Sequence, residues 1–92
     1  MSQVPVPRYH ELMWPALQAA TALGGAASVG VLKSYIVEER GLPREVLSVR
    51  HGRSRVSELD YRFYWALRHL EGIGAIEQRG RGVWAITDHG RH

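Results

Sequence analysis

The apolar positions of this chain recur at helical spacing as far as residue 72 and then change period. From Arg8 to Leu23 the spacing is four and three: Leu12, Ala16, Ala20 and Leu23, with Met13 and Leu17 widening the stripe. Pro15 lies inside that run and either starts the main helix at its first turn or kinks a longer one; the preferred reading is a short lead-in turn followed by a helix from about Trp14. Gly24-Gly25 closes it. Ala26-Ala27-Ser28 reads either as a brief strand or as an extended link. A second helix is expected from about Ser28 to Arg40, with Val31, Leu32, Tyr35 and Ile36 as its apolar face and Gly41 as its stop. Pro43 suits the first position of a short helix through Leu47. The stretch Val49–Val56, VRHGRSRV, is a basic loop containing a glycine.

The stretch SELDYRFYWALRHLEG, Ser57–Gly72, carries the most information. Ser57 is a good N-cap, and Asp60 stands where it can reach back in a variant of the capping box. Gly72 is the expected left-handed stop. At about 100° per residue, Leu59, Phe63, Ala66, Leu67 and Leu70 share one arc wide enough for a core-facing stripe. The opposite arc holds Ser57, Tyr61, Tyr64, Trp65 and Arg68. A solvated face is normally Glu, Lys, Gln and Arg. Rings mixed with arginine mark a surface that touches something. Beyond Gly72, Ile73–Gln78 is expected to start a strand with Ile73 and Ile76 as its apolar residues. Arg79-Gly80-Arg81-Gly82 forms a turn, and Val83–Ile86 returns as a second strand. Trp84 belongs to the hairpin core, and Thr87 is placed to cap a last turn at Asp88–Gly90.

Composition sharpens this picture in three ways. A chain of 92 residues, 45% hydrophobic, supports one small core and argues against disorder. Without cysteine it has no disulfide framework and no thiolate zinc site, which fits a cytoplasmic protein. The N-terminus lacks a basic segment followed by an apolar core, so no signal peptide is expected, and no apolar run approaches the roughly 18 residues of a spanning helix.

Charge changes the picture more. The net is only +3, but eleven of the twelve cations are Arg, Lys33 being the exception. A bias toward Arg codons accounts for this as well as selection does. The distribution is more telling: from Arg50 to Arg68, five arginines (Arg50, Arg53, Arg55, Arg62, Arg68) face two acids, Glu58 and Asp60. Two more arginines, Arg79 and Arg81, sit in the hairpin turn. This is the footprint of a nucleic-acid binder. Enzymatic signals are weak. His10, His51, His69, His89 and His92 show no metal-ligand spacing and read as surface histidines. Glu58 and Asp60 are explained by capping and the helix dipole, and no nucleophile constellation or phosphate loop stands out. Neither a catalytic residue nor a metal or cofactor is expected.

Three helices followed by a hairpin with a basic tip is the order of a winged helix-turn-helix, an α+β domain with a two-stranded wing. More narrowly, the chain resembles the N-terminal domain of the Mrr-type, modification-dependent restriction endonucleases. Leu12-Met13 with Pro15, Leu23-Gly24-Gly25, Trp65-Ala66 with Leu70 and Gly72, Arg79-Gly80-Arg81-Gly82-Val83-Trp84, Ile86-Thr87 and Gly90 carry the resemblance. It spans about Tyr9 to Gly90. A flexible segment over residues 1–7 and a winged-helix domain over 8–90 are therefore expected. The resemblance implies a DNA-binding module of a restriction system that works with a nuclease domain, in cis or in trans, outside these residues.

On this reading Ser57, Tyr61, Tyr64, Trp65 and Arg68 contact bases in the major groove of duplex DNA. Trp65 alternatively folds back onto the first or second helix. Arg50, Arg53 and Arg55 neutralise phosphates, and Arg79 and Arg81 lay the wing on the backbone. A methyl group on adenine is apolar and lies in the major groove, so Tyr61, Trp65 and Trp14 are candidates to read it; methylated cytosine would suit the same surface. The competing reading is a protein-interaction or dimerisation domain that docks a partner through the aromatic face.

Overall fold

The computed structural model describes residues 6–91. Its elements run α1 (Tyr9–Ala22), β1 (Ala26–Ser28), α2 (Val29–Glu39), a 3-10 turn (Arg44–Ser48), α3 (Glu58–Gly72), β2 (Ile76–Gln78), β3 (Val83–Ile86) and a 3-10 turn (His89–Arg91). This is the α+β order of a winged helix-turn-helix.

Helix α1 starts at Tyr9, not near Trp14, and Pro15 lies inside it. Glu11 closes the first turn: the Arg8 N–H donates to Glu11 Oε1 at 3.1 Å, and the Arg8 carbonyl accepts from the Glu11 N–H at 3.0 Å. An interior proline costs roughly 3 kcal/mol. Here its ring is buried beside Leu12 and Ala16 on the core face, which offsets that cost.

Ser28 caps α2, accepting from the Val31 N–H at 3.3 Å. The apolar stripe of α2 is narrower than expected. Leu32 and Ile36 are buried, but Val31 is 49% exposed. Pro43 falls just ahead of the next turn as its cap, and that turn is 3-10 with Val46 fully buried.

All of the expected core positions of α3 are buried: Leu59, Phe63, Ala66, Leu67 and Leu70. Burying each of the large ones contributes roughly 1.5–3 kcal/mol. Ser57 Oγ accepts from the Asp60 N–H at 3.0 Å, as an N-cap should. Asp60 does not reach back; its carboxylate sits 2.7 Å from Lys33 Nζ on α2 and joins the two helices. Gly72 is the last helical residue and Ile73 the cap. The left-handed stop is Gly74, at φ +79°. Ile73 is consequently 59% exposed and lies outside β2, which begins at Ile76.

Ala26–Ser28 is a strand. It pairs antiparallel with β3, which also pairs with β2, giving the sheet order β1-β3-β2. Trp84 and Ile86 share one face of β3 and both enter the core. The wing closes as expected, with the Arg79 N–H donating to the Val83 carbonyl at 2.8 Å. Gly80 at φ +78° and Gly82 at φ +70° supply conformations that other residues resist. The Val29 N–H donates to the Gly82 carbonyl at 3.0 Å, tying the base of the wing to the start of α2. Thr87 Oγ1 accepts from the Gly90 N–H at 3.1 Å and so caps the last turn.

The main seam is α1 against α3; Leu12, Ala16, Ala19 and Ala20 of α1 and Leu59, Phe63, Ala66, Leu67 and Leu70 of α3 are buried in one core cluster. It leaves the outer side of α3 uncovered. Of the N-terminal segment expected to be flexible, residues 1–5 lie outside the described residues. Val6 packs against the core and, with Pro7, offers its carbonyl to Arg62.

Candidate nucleic-acid interface

The outer side of α3 is a row of rings in mutual contact. Tyr61, Tyr64 and Trp65 are 38%, 49% and 42% exposed. Trp65 meets Tyr64 edge-on at 5.4 Å and Tyr61 at 6.4 Å between centroids. It does not fold onto α1 or α2; the two tyrosines, four residues and one residue before it, support it on its own helix. Arg68 ends the row. Its guanidinium lies 5.3 Å from the Tyr64 centroid, donates to the Tyr64 hydroxyl at 3.1 Å and pairs with Glu71 at 2.7 Å. Arg68 is therefore partly neutralised, and the open part of the face is the Tyr61–Trp65 end.

That end adjoins the basic loop, which is a closed turn. Arg50 and Ser57 form an isolated bridge, the His51 N–H donates to the Val56 carbonyl at 3.0 Å, and the Ser54 N–H donates to the His51 carbonyl at 3.0 Å. The imidazole of His51 stacks on Tyr61 with centroids 3.6 Å apart and planes 11° apart. Its Nδ1 lies 2.7 Å from Glu58 Oε2. Glu58 also holds Arg62 Nε at 2.8 Å, and Arg62 donates onward to the Val6 carbonyl at 2.7 Å.

These contacts, the His51 hydrogen bond first, outweigh burial and hold the Glu58 carboxyl below its ordinary 4.5. A depressed carboxylate stabilises the fold above its unfolded pKa and loses that contribution as pH falls through the folded value. The urea midpoint should accordingly fall as pH drops below about 4.5, and Glu58→Gln should flatten that part of the profile. An unchanged slope in the variant would exclude Glu58 as the source.

The arginines from Arg50 to Arg81 divide into two groups. Among the described residues, Arg50, Arg53, Arg55 and Arg81 are exposed and make no ion pair. Arg79 is held by Glu77 at 3.0 Å, Arg68 by Glu71, and Arg62 works inside the fold. Arg53 and Arg55 share the turn that His51 fastens to α3. No hydrogen bond, ion pair or ring contact joins Arg79 or Arg81 to the ring row among the described residues.

Ser57 spends its hydroxyl on the helix cap and borders a polar groove of about 610 Å³ with Lys33, Ser34, Arg44 and Asp60. Trp14 takes no part in the ring row. It is 63% exposed and borders an apolar groove of about 570 Å³ with Leu17, Thr21, Ala22, Ile86 and Gly90. That groove lies between α1 and the end of the sheet.

His51, which spacing alone reads as a surface histidine, is the residue that joins the basic turn to α3. The available signal was its place between two arginines, ten residues before an unexplained tyrosine. Among the described residues no cluster of His, Asp or Glu has the geometry to hold a metal, and no helix is long and apolar enough to cross a membrane.

No curated protein and no solved structure matches the chain. The family model of the Mrr N-terminal domain matches residues 9–92, and the chain therefore belongs to that family.

Proposed function

We propose that this chain is the DNA-binding specificity module of a restriction system, acting with a nuclease domain rather than as a nuclease. Helix α3 enters the major groove by its N-terminal half, where Ser57, Tyr61 and Trp65 meet base edges, with Tyr64 and Arg68 at the margin. Arg50, Arg53 and Arg55 contact phosphates on one side, and the wing brings Arg81, then Arg79, to the adjacent backbone. The observation that carries this reading is the exposed Tyr61–Trp65 surface bordered by unpaired arginines in a closed turn. Membership of the Mrr N-terminal domain family supports it.

The finer proposal is that the ring surface receives the methyl group of methylated adenine. Reading a methyl group takes an apolar surface and no further hydrogen bond. Trp14 is removed from this role because it borders a different groove. Titrating the protein with one duplex, methylated and unmethylated, should give affinities differing by about tenfold, the scale of a good single-base discrimination. Equal affinities would reject methyl reading. Affinity for DNA that scarcely changes with salt would favour the alternative, an aromatic face that docks a protein, because such an interface neutralises no phosphates.

A further inference from the structure

We infer that His51 is a positioning residue for this face: its imidazole, clamped between Glu58 and the ring of Tyr61, fastens the arginine turn to α3 so that both meet DNA as one pre-formed surface. The inference rests on the DNA-binding reading and assigns His51 a part within it.

Three features of the site carry it. First, both backbone polar groups of His51 hold the turn, through Val56 and Ser54. A residue that fixes the turn with its main chain and the helix with its side chain couples the two. Second, the stack on Tyr61 is close and nearly parallel, at 3.6 Å and 11°, and covers one face of that ring. Trp65 stands edge-on to the same ring. Tyr61 is thus held from two directions although it is 38% exposed. Third, the carboxylate that His51 grips is itself immobilised. Glu58 has a side chain only 16% exposed and is tied by Arg62, which is tied in turn to the Val6 carbonyl. The chain Val6–Arg62–Glu58–His51–Tyr61 ends at the ring proposed to meet the base.

A loose turn and a freely rotating tyrosine would lose freedom on binding, and each ordered side chain or loop costs affinity. His51 removes part of that cost beforehand. A group that positions, and does not itself touch phosphate, changes affinity without changing the number of counterions released.

The test uses the full chain and a methylated duplex over a salt series. His51→Ala should weaken binding by about tenfold, the scale of ordering one or two side chains, with the salt slope near that of the parent. His51→Phe, which retains a ring over Tyr61, should recover most of the loss. In the free parent, the Tyr61 ring protons should show a ring-current shift that His51→Ala reduces to the part contributed by Trp65.

His51→Ala binding as tightly as the parent overturns the inference. So does a salt slope reduced by about 0.9, one phosphate, because His51 would then be a contact residue. Unshifted Tyr61 protons in the parent overturn it as well. Should His51→Ala not fold, His51→Phe is compared with His51→Gln, and Gln binding as tightly as Phe overturns the stack's role. A parent that fails to bind any duplex overturns the DNA-binding proposal instead, so the two failures are separable.

Discussion

Replacing Arg53, Arg55 and Arg81 together with alanine should lower affinity for duplex DNA on the order of a hundredfold at 0.15 M salt. Each phosphate contact contributes a salt slope of about 0.9, equivalent to roughly fivefold between 0.15 M and 1 M salt, and three contacts multiply. The slope itself should therefore become shallower by nearly three, which separates lost charge from lost fold. These three are chosen because they are exposed and make no ion pair among the described residues, so their removal leaves no buried partner behind. Arg62 is the informative contrast. It lies on the same helix as the rings, but it is engaged by Glu58 and the Val6 carbonyl. Arg62→Ala should cost stability and leave the salt slope almost unaltered. A triple variant that binds like the parent would remove the basis for the DNA reading.

Phe63→Ala should destabilise the domain by about 3–5 kcal/mol, the usual cost of emptying a fully buried aromatic site. Phe63 is 1% exposed and is among the largest side chains buried in the core cluster. The same core cluster holds Ala16, Ala19, Ala20 and Ala66, whose methyl groups are too short to fill the space that the lost ring would leave. The loss would consume much of the 5–15 kcal/mol that holds a typical domain, and Tm should fall by roughly 12 °C or more. Trp65→Ala on the same helix removes a larger side chain that is 42% exposed and shares no core cluster. Its Tm should move little while DNA affinity falls. Thermal melts followed by circular dichroism, alongside binding titrations, check both at once. Equal destabilisation by the two substitutions would mean that the ring row is part of the core and not a surface.

That contrast explains why α3 was legible in the sequence. Its apolar arc is generated by local periodicity, and a helix of fifteen residues has only one way to bury it. Tyr61, Tyr64 and Trp65 fall on the other arc by the same geometry, so their exposure followed as well. The hairpin was readable because its Arg-Gly-Arg-Gly turn lies between two apolar runs. Errors gathered where an end or a boundary depends on what the segment packs against. Pro15 is tolerated within α1 because the core accepts its ring, and that acceptance is a tertiary fact. The helix stop moved from Gly72 to Gly74 because either glycine can take a positive φ, and the path into β2 selects one.

By itself, then, the order of residues determined the helices, the wing, the buried arc of α3 and the aromatic arc opposite it, since each follows from spacing along one segment. Three of the ion pairs are local: Glu58, Glu71 and Glu77 hold Arg62, Arg68 and Arg79 at separations of four, three and two residues, within reach of a sequence reading. Only the tertiary structure tied Arg62 onward to the Val6 carbonyl and Asp60 to Lys33. It also made Ala26–Ser28 a strand, set Trp14 beside a separate groove and brought His51 onto Tyr61. Periodicity describes the direction a side chain leaves its own backbone. A partner arriving from another segment is fixed by packing, and no local pattern encodes it.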